Sequence, residues 1–132
     1  MFKLSKIENA RMNVPEPEYL PVTASEAVSE GEALVLSNGA LTKCGATATP
    51  TYIAMGSVAA DAEDREIAVC RVEANQVYEV PVTAAPTTLK VGDKVTLHTD
   101  GLQVTATTTS GVATVVALNG AAAIGDLIQV RF

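Results

Sequence analysis

Apolar and polar residues alternate with a period of two over short stretches of this chain. Lys94-Val95-Thr96-Leu97-His98 puts Val95 and Leu97 on one side and Lys94, Thr96 and His98 on the other, the alternation of a half-buried strand. Leu127-Ile128-Gln129-Val130-Arg131-Phe132 does the same, with Ile128, Val130 and Phe132 inward. Further strands are predicted over residues 52–55, 66–72, 76–80 and 112–118, with Pro81 ending the third of these. Asn38-Gly39 and Asp100-Gly101 are dipeptides of tight hairpins. Residues 82–89 form a link, and Ala121-Ala122-Ala123, between Gly120 and Gly125, suits a turn.

The pattern occurs twice. Residues 31–71, moved along by 61 positions without gaps, fall on 92–132, and eight positions coincide, among them Gly31/Gly92, Leu36/Leu97, Ile67/Ile128 and Val69/Val130. Apolar positions also match in phase, as in Leu34/Val95 and Met55/Val116. Each unit has a Gly-acidic start, an alternating strand, a Gly turn, a Thr-rich stretch, a strand, an Ala-rich turn and a closing strand. Two such units can bury each other's apolar faces. The expected fold is all-β, a small barrel or sandwich spanning 29–132, with repeat units 31–72 and 92–132. Leu34, Leu36, Val95, Leu97, Ile128 and Val130 are the expected core.

The closing strands differ. The outer face of the second is polar, with Gln129 and Arg131, whereas the first offers Ala68, Cys70 and Val72 opposite an inner face of Ile67 and Val69. A strand apolar on both faces is normally buried on both. Another subunit or the N-terminal segment is expected to cover it.

Residues 1–28 follow another pattern. Pro15, Pro17 and Pro21 remove backbone donors and favour an extended path. Phe2, Leu4, Ile7, Met12, Val14, Tyr19 and Leu20 make the segment too apolar for an ordinary disordered tail. It is expected to be an extended arm that orders against a partner.

Composition narrows the function. The 132 residues fit one domain, and 48% are hydrophobic but only 4% aromatic, so the core is built from Val, Leu, Ile and Ala. Charged residues make up 18%, below the roughly 25% of an ordinary soluble domain, as expected where other chains cover part of the surface. A formal net charge of −6, with nine dispersed Lys and Arg, disfavours direct binding to nucleic acid. No apolar run reaches the ~20 residues of a membrane span, and no signal segment is expected at the N-terminus. Cys44 and Cys70 are expected to be reduced, small and hydrophobic; spacing alone leaves a single disulfide open.

Catalytic chemistry finds no foothold. His98 is the one histidine, on the outward phase of a strand, with no nucleophile tied to it by a motif. The run Asp61-Ala62-Glu63-Asp64-Arg65-Glu66 lacks the ligand spacing and turn glycine of a calcium loop and is expected to be solvated. Lys94 begins a strand, away from the hairpin tip that a lipoyl or biotinyl carrier requires. Phosphate-loop, serine-elbow and zinc-helix motifs are absent from the sequence. No enzyme, cofactor or metal site is expected.

The Pro-containing N-terminal segment, Gly-Glu-Ala-Leu-Val-Leu-Ser-Asn-Gly-Ala-Leu-Thr-Lys at 31–43, Gly56-Ser57-Val58-Ala59-Ala60-Asp61, the strand 66–72 and the similar second half together resemble the head decoration, or cement, proteins of tailed bacteriophages. The lambda decoration protein belongs to this broad group. The resemblance implies a virion protein, made in the host cytoplasm and bound to the outer capsid surface. It implies the major capsid protein as partner, self-association as a homotrimer, and stabilisation by bridging neighbouring subunits. The residues expected to make these contacts are Phe2, Leu4, Ile7, Met12, Val14, Pro15, Pro17, Tyr19, Leu20, Ala68, Cys70 and Val72. A head-fibre base, a minor tail β protein and a small carrier or ligand-binding β-barrel domain are the alternatives.

Overall fold

A computed structural model describes residues 1–8 and 15–132. Two five-stranded antiparallel sheets pack as a sandwich, not closed into a barrel, and the described residues contain no helix. The strands are β1 (Lys3–Ile7), β2 (Glu18–Pro21), β3 (Ala33–Ser37), β4 (Ala40–Lys43), β5 (Tyr52–Ala54), β6 (Glu66–Arg71), β7 (Gln76–Pro81), β8 (Lys94–Val95), β9 (Ala113–Ala117) and β10 (Leu127–Arg131). One sheet has the order β2-β6-β5-β3-β4 and the other β1-β7-β10-β9-β8.

The duplication is present at the level of single hydrogen bonds. Gly31 N–H donates to Ala54 C=O at 2.8 Å, and Gly92 N–H to Val115 C=O at 2.9 Å. Ala54 N–H donates to Glu32 C=O, and Val115 N–H to Asp93 C=O. Registers follow: Ile53 faces Cys70 as Thr114 faces Arg131, and Ala33 faces Ile53 as Lys94 faces Thr114. The Gly-acidic start is a β-turn closed by its last side chain. The Glu32 carboxylate accepts the Ser29 N–H, and the Asp93 carboxylate the Lys90 N–H, each at 2.9 Å. Gly31 and Gly92 take the left-handed region, φ 76° and 96°, which such a turn reserves for glycine at its third position.

The repeat also begins earlier than position 31. β2 pairs with β6 as β7 pairs with β10: Pro21 faces Glu66, and Pro81 faces Leu127. The strands run out into identical tetrapeptides, Pro21-Val22-Thr23-Ala24 and Pro81-Val82-Thr83-Ala84. Val22 N–H donates to Arg65 C=O and Val82 N–H to Asp126 C=O. Each unit therefore comprises five extended segments, and Pro81 closes its strand from within. Residues 3–7 and 18–21, expected in an arm, are instead edge strands: β1 pairs with β7 in the second unit's sheet and β2 with β6 in the first's. Proline is tolerated at the ends of edge strands, where a missing N–H removes no ladder bond.

Each unit has its own interior. Val22, Val28, Leu34, Leu41, Tyr52, Ala54, Ile67 and Val69 form one cluster, and Val82, Leu89, Val95, Val104, Ala113, Val115, Ile128 and Val130 belong to the other. The second cluster also takes in Ala33, Cys44 and Ile53 from the back of the first unit's sheet. The first sheet is thus buried on both faces, its own loops over one and the second unit under the other.

Three details depart from the sequence pattern. Leu36 is 46% exposed although Leu97 is 1% exposed, because β3 pairs with β5 only through Ala33 and Leu34 and the hairpin runs on past the core. Thr96 is buried, its hydroxyl 2.7 Å from that of Thr105. Asp100-Gly101 forms no two-residue turn: His98 N–H donates to Gln103 C=O, and β8 stops at Val95. Asn38-Gly39 does make the tight hairpin, between Ser37 and Ala40.

Candidate docking surface

Of the side chains expected to contact partners, Phe2, Leu4, Pro15 and Cys70 lie together at the seam between the two sheets. Phe2 is 3% exposed and packs edge-on to Tyr78, ring centroids 6.4 Å apart, and against Phe132 at 5.6 Å. Phe2 N–H donates to Gly31 C=O at 2.8 Å, so the chain start is fixed to the first unit's turn. Leu4 and Val72 are half-buried against the second unit's core, and Leu20 against the first's. Ile7 and Pro15 border a polar groove with Glu18 and Arg71. Pro17 is exposed, and Tyr19 is 63% exposed on β2, opposite the half-buried Ala68. Met12 and Val14 lie outside the described residues.

Cys70 is 7% exposed and Ala68 and Val72 are half-buried, so the second apolar face of β6 is covered within the chain at Cys70. Gln76 Nε2 lies 3.8 Å from Cys70 Sγ, and Tyr78 Oη donates to Gln76 Oε1 at 2.5 Å. Burial pushes the Cys70 thiol up, against the hydrogen bonds of Tyr78 and Gln76, and it pushes the Tyr78 phenol up as well. Burial alone raises Cys44 to about 11. Both cysteines are free and held as thiols, which is the opposite of what a nucleophile needs.

A cleft of about 460 Å³ opens at this seam, between β1 and the β5–β6 side of the first sheet. Met1, Leu4, Pro15, Met55, Cys70 and Tyr78 are among its walls. The outer edge of β1 has no strand partner among the described residues. Such an edge beside an apolar cleft offers backbone pairing and a side-chain pocket together.

A second exposed apolar set carries no signal in the sequence pattern. Val91 is 66% exposed, Ile124 73% and Leu127 48%. Val91 and Ile124 each precede the glycine of a turn closed by an aspartate, Asp93 on Lys90 N–H and Asp126 on Ala123 N–H. The two backbone N–H groups of Ala122 and Ala123 hold Asp126 below the usual carboxylate range. Burial raises Asp100, but the Leu102 N–H, the Gln103 amide and His98 outweigh it and hold this carboxyl low. His98 Nδ1 is 3.1 Å from Asp100; the pair closes its own loop. Among the described residues no group of three or more metal-ligating side chains comes together.

No protein-family model matches the chain, and no curated protein matches it in sequence. A solved structure does match in fold, the N base of head fibre gp8.5 in bacteriophage phi29. The two are 18% identical, the match covers 89% of this chain and 94% of that one, and the TM-score is 0.59. The likeness is to a head-fibre base, one of the alternatives the sequence leaves open, and not to a decoration protein of the lambda type. At this identity the likeness is one of fold: an all-β sandwich spanning nearly the whole of both chains.

Proposed function

We propose that this chain is a structural protein of a phage virion, carried on the outside of the head, that works by docking on the shell. The observation that supports it most is the nearly full-length fold likeness to a head-fibre base. The surfaces agree with a binding role: an apolar cleft beside a strand edge that has no partner among the described residues, a second exposed apolar set, and thiols kept protonated by burial. Quantitative mass spectrometry of purified particles tests the reading. The chain should be present in stoichiometric copies and be released when the head surface is stripped; its absence from particles would overturn the proposal.

A finer reading is that each copy bridges neighbouring capsid subunits as a cement protein. It is favoured by the presence of two apolar surfaces, the cleft at the sheet seam and the exposed set of Val91, Ile124 and Leu127. Copy number separates the readings: hundreds per particle for a lattice-wide cement, far fewer for a fibre base. Association as a homotrimer belongs with the same reading, and sedimentation of the free protein tests it.

A further inference from the structure

The two units act as controls for one another, because equivalent places in the same fold carry different residues. Val91, Ile124 and Leu127 are the counterparts, 61 positions on, of Glu30, Glu63 and Glu66. All six are exposed. Asp61 and Asp64 likewise correspond to Ala122 and Gly125. The fold accepts glutamate at these places in the first unit, so it does not require apolar residues in the second. Exposed Val, Ile and Leu at three such places call for another explanation than packing.

Charge divides the same way. Residues 18–71 hold eight acidic and three basic side chains, and residues 76–131 hold four and three. Of those four carboxylates, Asp93, Asp100 and Asp126 accept backbone N–H groups of their own loops. They are committed inside the molecule.

We infer that the end of the second unit that presents Val91, Ile124 and Leu127 docks on an apolar surface of the shell protein, with Glu63 and Glu66 of the first unit turned to solvent. This rests on the virion reading above. Area decides between the shell and a second copy. Three side chains and neighbouring alanines offer on the order of a few hundred Å², short of the ~800 Å² per partner of a stable pair. A second copy would meet the patch with that same small area. A shell subunit can engage this patch together with the seam cleft, and two linked contacts on one molecule reinforce each other. The near-neutral charge of the second unit gives nothing for a nucleic acid to hold.

The test uses the full chain and purified heads lacking it. The variant V91E/I124E/L127E gives the second unit the glutamates that the first already carries. Bound copies per head should fall at least tenfold, with the unfolding midpoint and sedimentation unchanged. E63A/E66A should bind as the original chain does. If the first variant destabilises the protein, Ile124→Glu alone, at the most exposed of the three positions, replaces it. Undiminished binding by the glutamate variant overturns the inference and leaves the virion reading standing. Loss of self-association by that variant, with head binding intact, assigns the patch to a second copy and also overturns it. Failure of the unaltered chain to bind heads overturns both.

Discussion

The first unit is the more acidic of the two, with eight acidic side chains over 18–71 against four over 76–131. They share turns, registers and a 61-residue offset, yet the first buries both faces of its sheet and the second only one. The position of Arg65 and Asp126 shows how far chemistry can diverge under one backbone. Arg65 donates to the carbonyls of Ala59, Ala60, Thr23 and Glu26, tying two loops over its unit's interior. Asp126, its counterpart, accepts the N–H groups of Ala122 and Ala123 at 2.8 Å and steadies one loop. Duplicated backbones keep hydrogen-bond geometry, because an unmet buried backbone group is costly. Side-chain identity is free wherever the two copies meet different neighbours.

The comparison breaks most sharply at Leu36 and Leu97. Leu97→Ala should cost about 2–5 kcal/mol, as a buried truncation, whereas Leu36→Ala should stay within about 0.5 kcal/mol, as a surface change. Urea unfolding of the two variants measures the difference, and equal costs would mean that the units do not pack as described. Next is Arg65→Ala, which strips partners from four loop carbonyls and should cost about 1–3 kcal/mol. Hydrogen exchange should show faster exchange in the 22–28 and 58–62 loops, with the second unit unaffected.

A smaller contrast lies at the turn glycines. A β-carbon on Gly31 would meet the Met1 β-carbon at 2.4 Å and the Phe2 carbonyl at 3.0 Å, while one on Gly92 meets nothing within 4 Å. Gly92→Ala should cost the left-handed penalty of about 1–2 kcal/mol; Gly31→Ala should cost more and loosen the chain start. Thermal unfolding of both ranks them. The smallest effect is acid sensitivity. Asp126 and Asp100 are held below 3.8 in the folded chain, so their contribution is full above 3.8 and is lost as pH falls through their lower folded values. Asp126→Ala should flatten the acid side of the stability curve; an unchanged slope below 3.8 would remove Asp126 from that role.

Much of the fold was legible because strand alternation and glycine turns are local. Val95, Leu97, Ile128 and Val130 follow from period-two spacing, and Asn38-Gly39 from turn chemistry. The start of each unit was not legible by a gap-free comparison. A one-residue difference between 24–31 and 84–92 shifts Pro21-Val22-Thr23-Ala24 to a 60-residue offset, so the gap-free repeat leaves β2 outside it, in the arm. β1 carries little alternation and becomes a strand only because β7 offers it an open edge. On the apolar second face of β6 only Cys70 is buried, and sequence could not say that Gln76 and Tyr78 of the chain's own second unit lie against it. Val91, Ile124 and Leu127 escaped notice because each is an unremarkable apolar residue alone. Only exposure, set beside Glu30, Glu63 and Glu66, makes them informative.

Electron cryomicroscopy of intact heads bearing this chain tests the central claim most directly. The account predicts sandwich-shaped density on the outer surface, with Val91, Ile124 and Leu127 against the shell and Glu63 and Glu66 facing solvent. Density with the acidic end seated on the shell, or no density on the head at all, would contradict it.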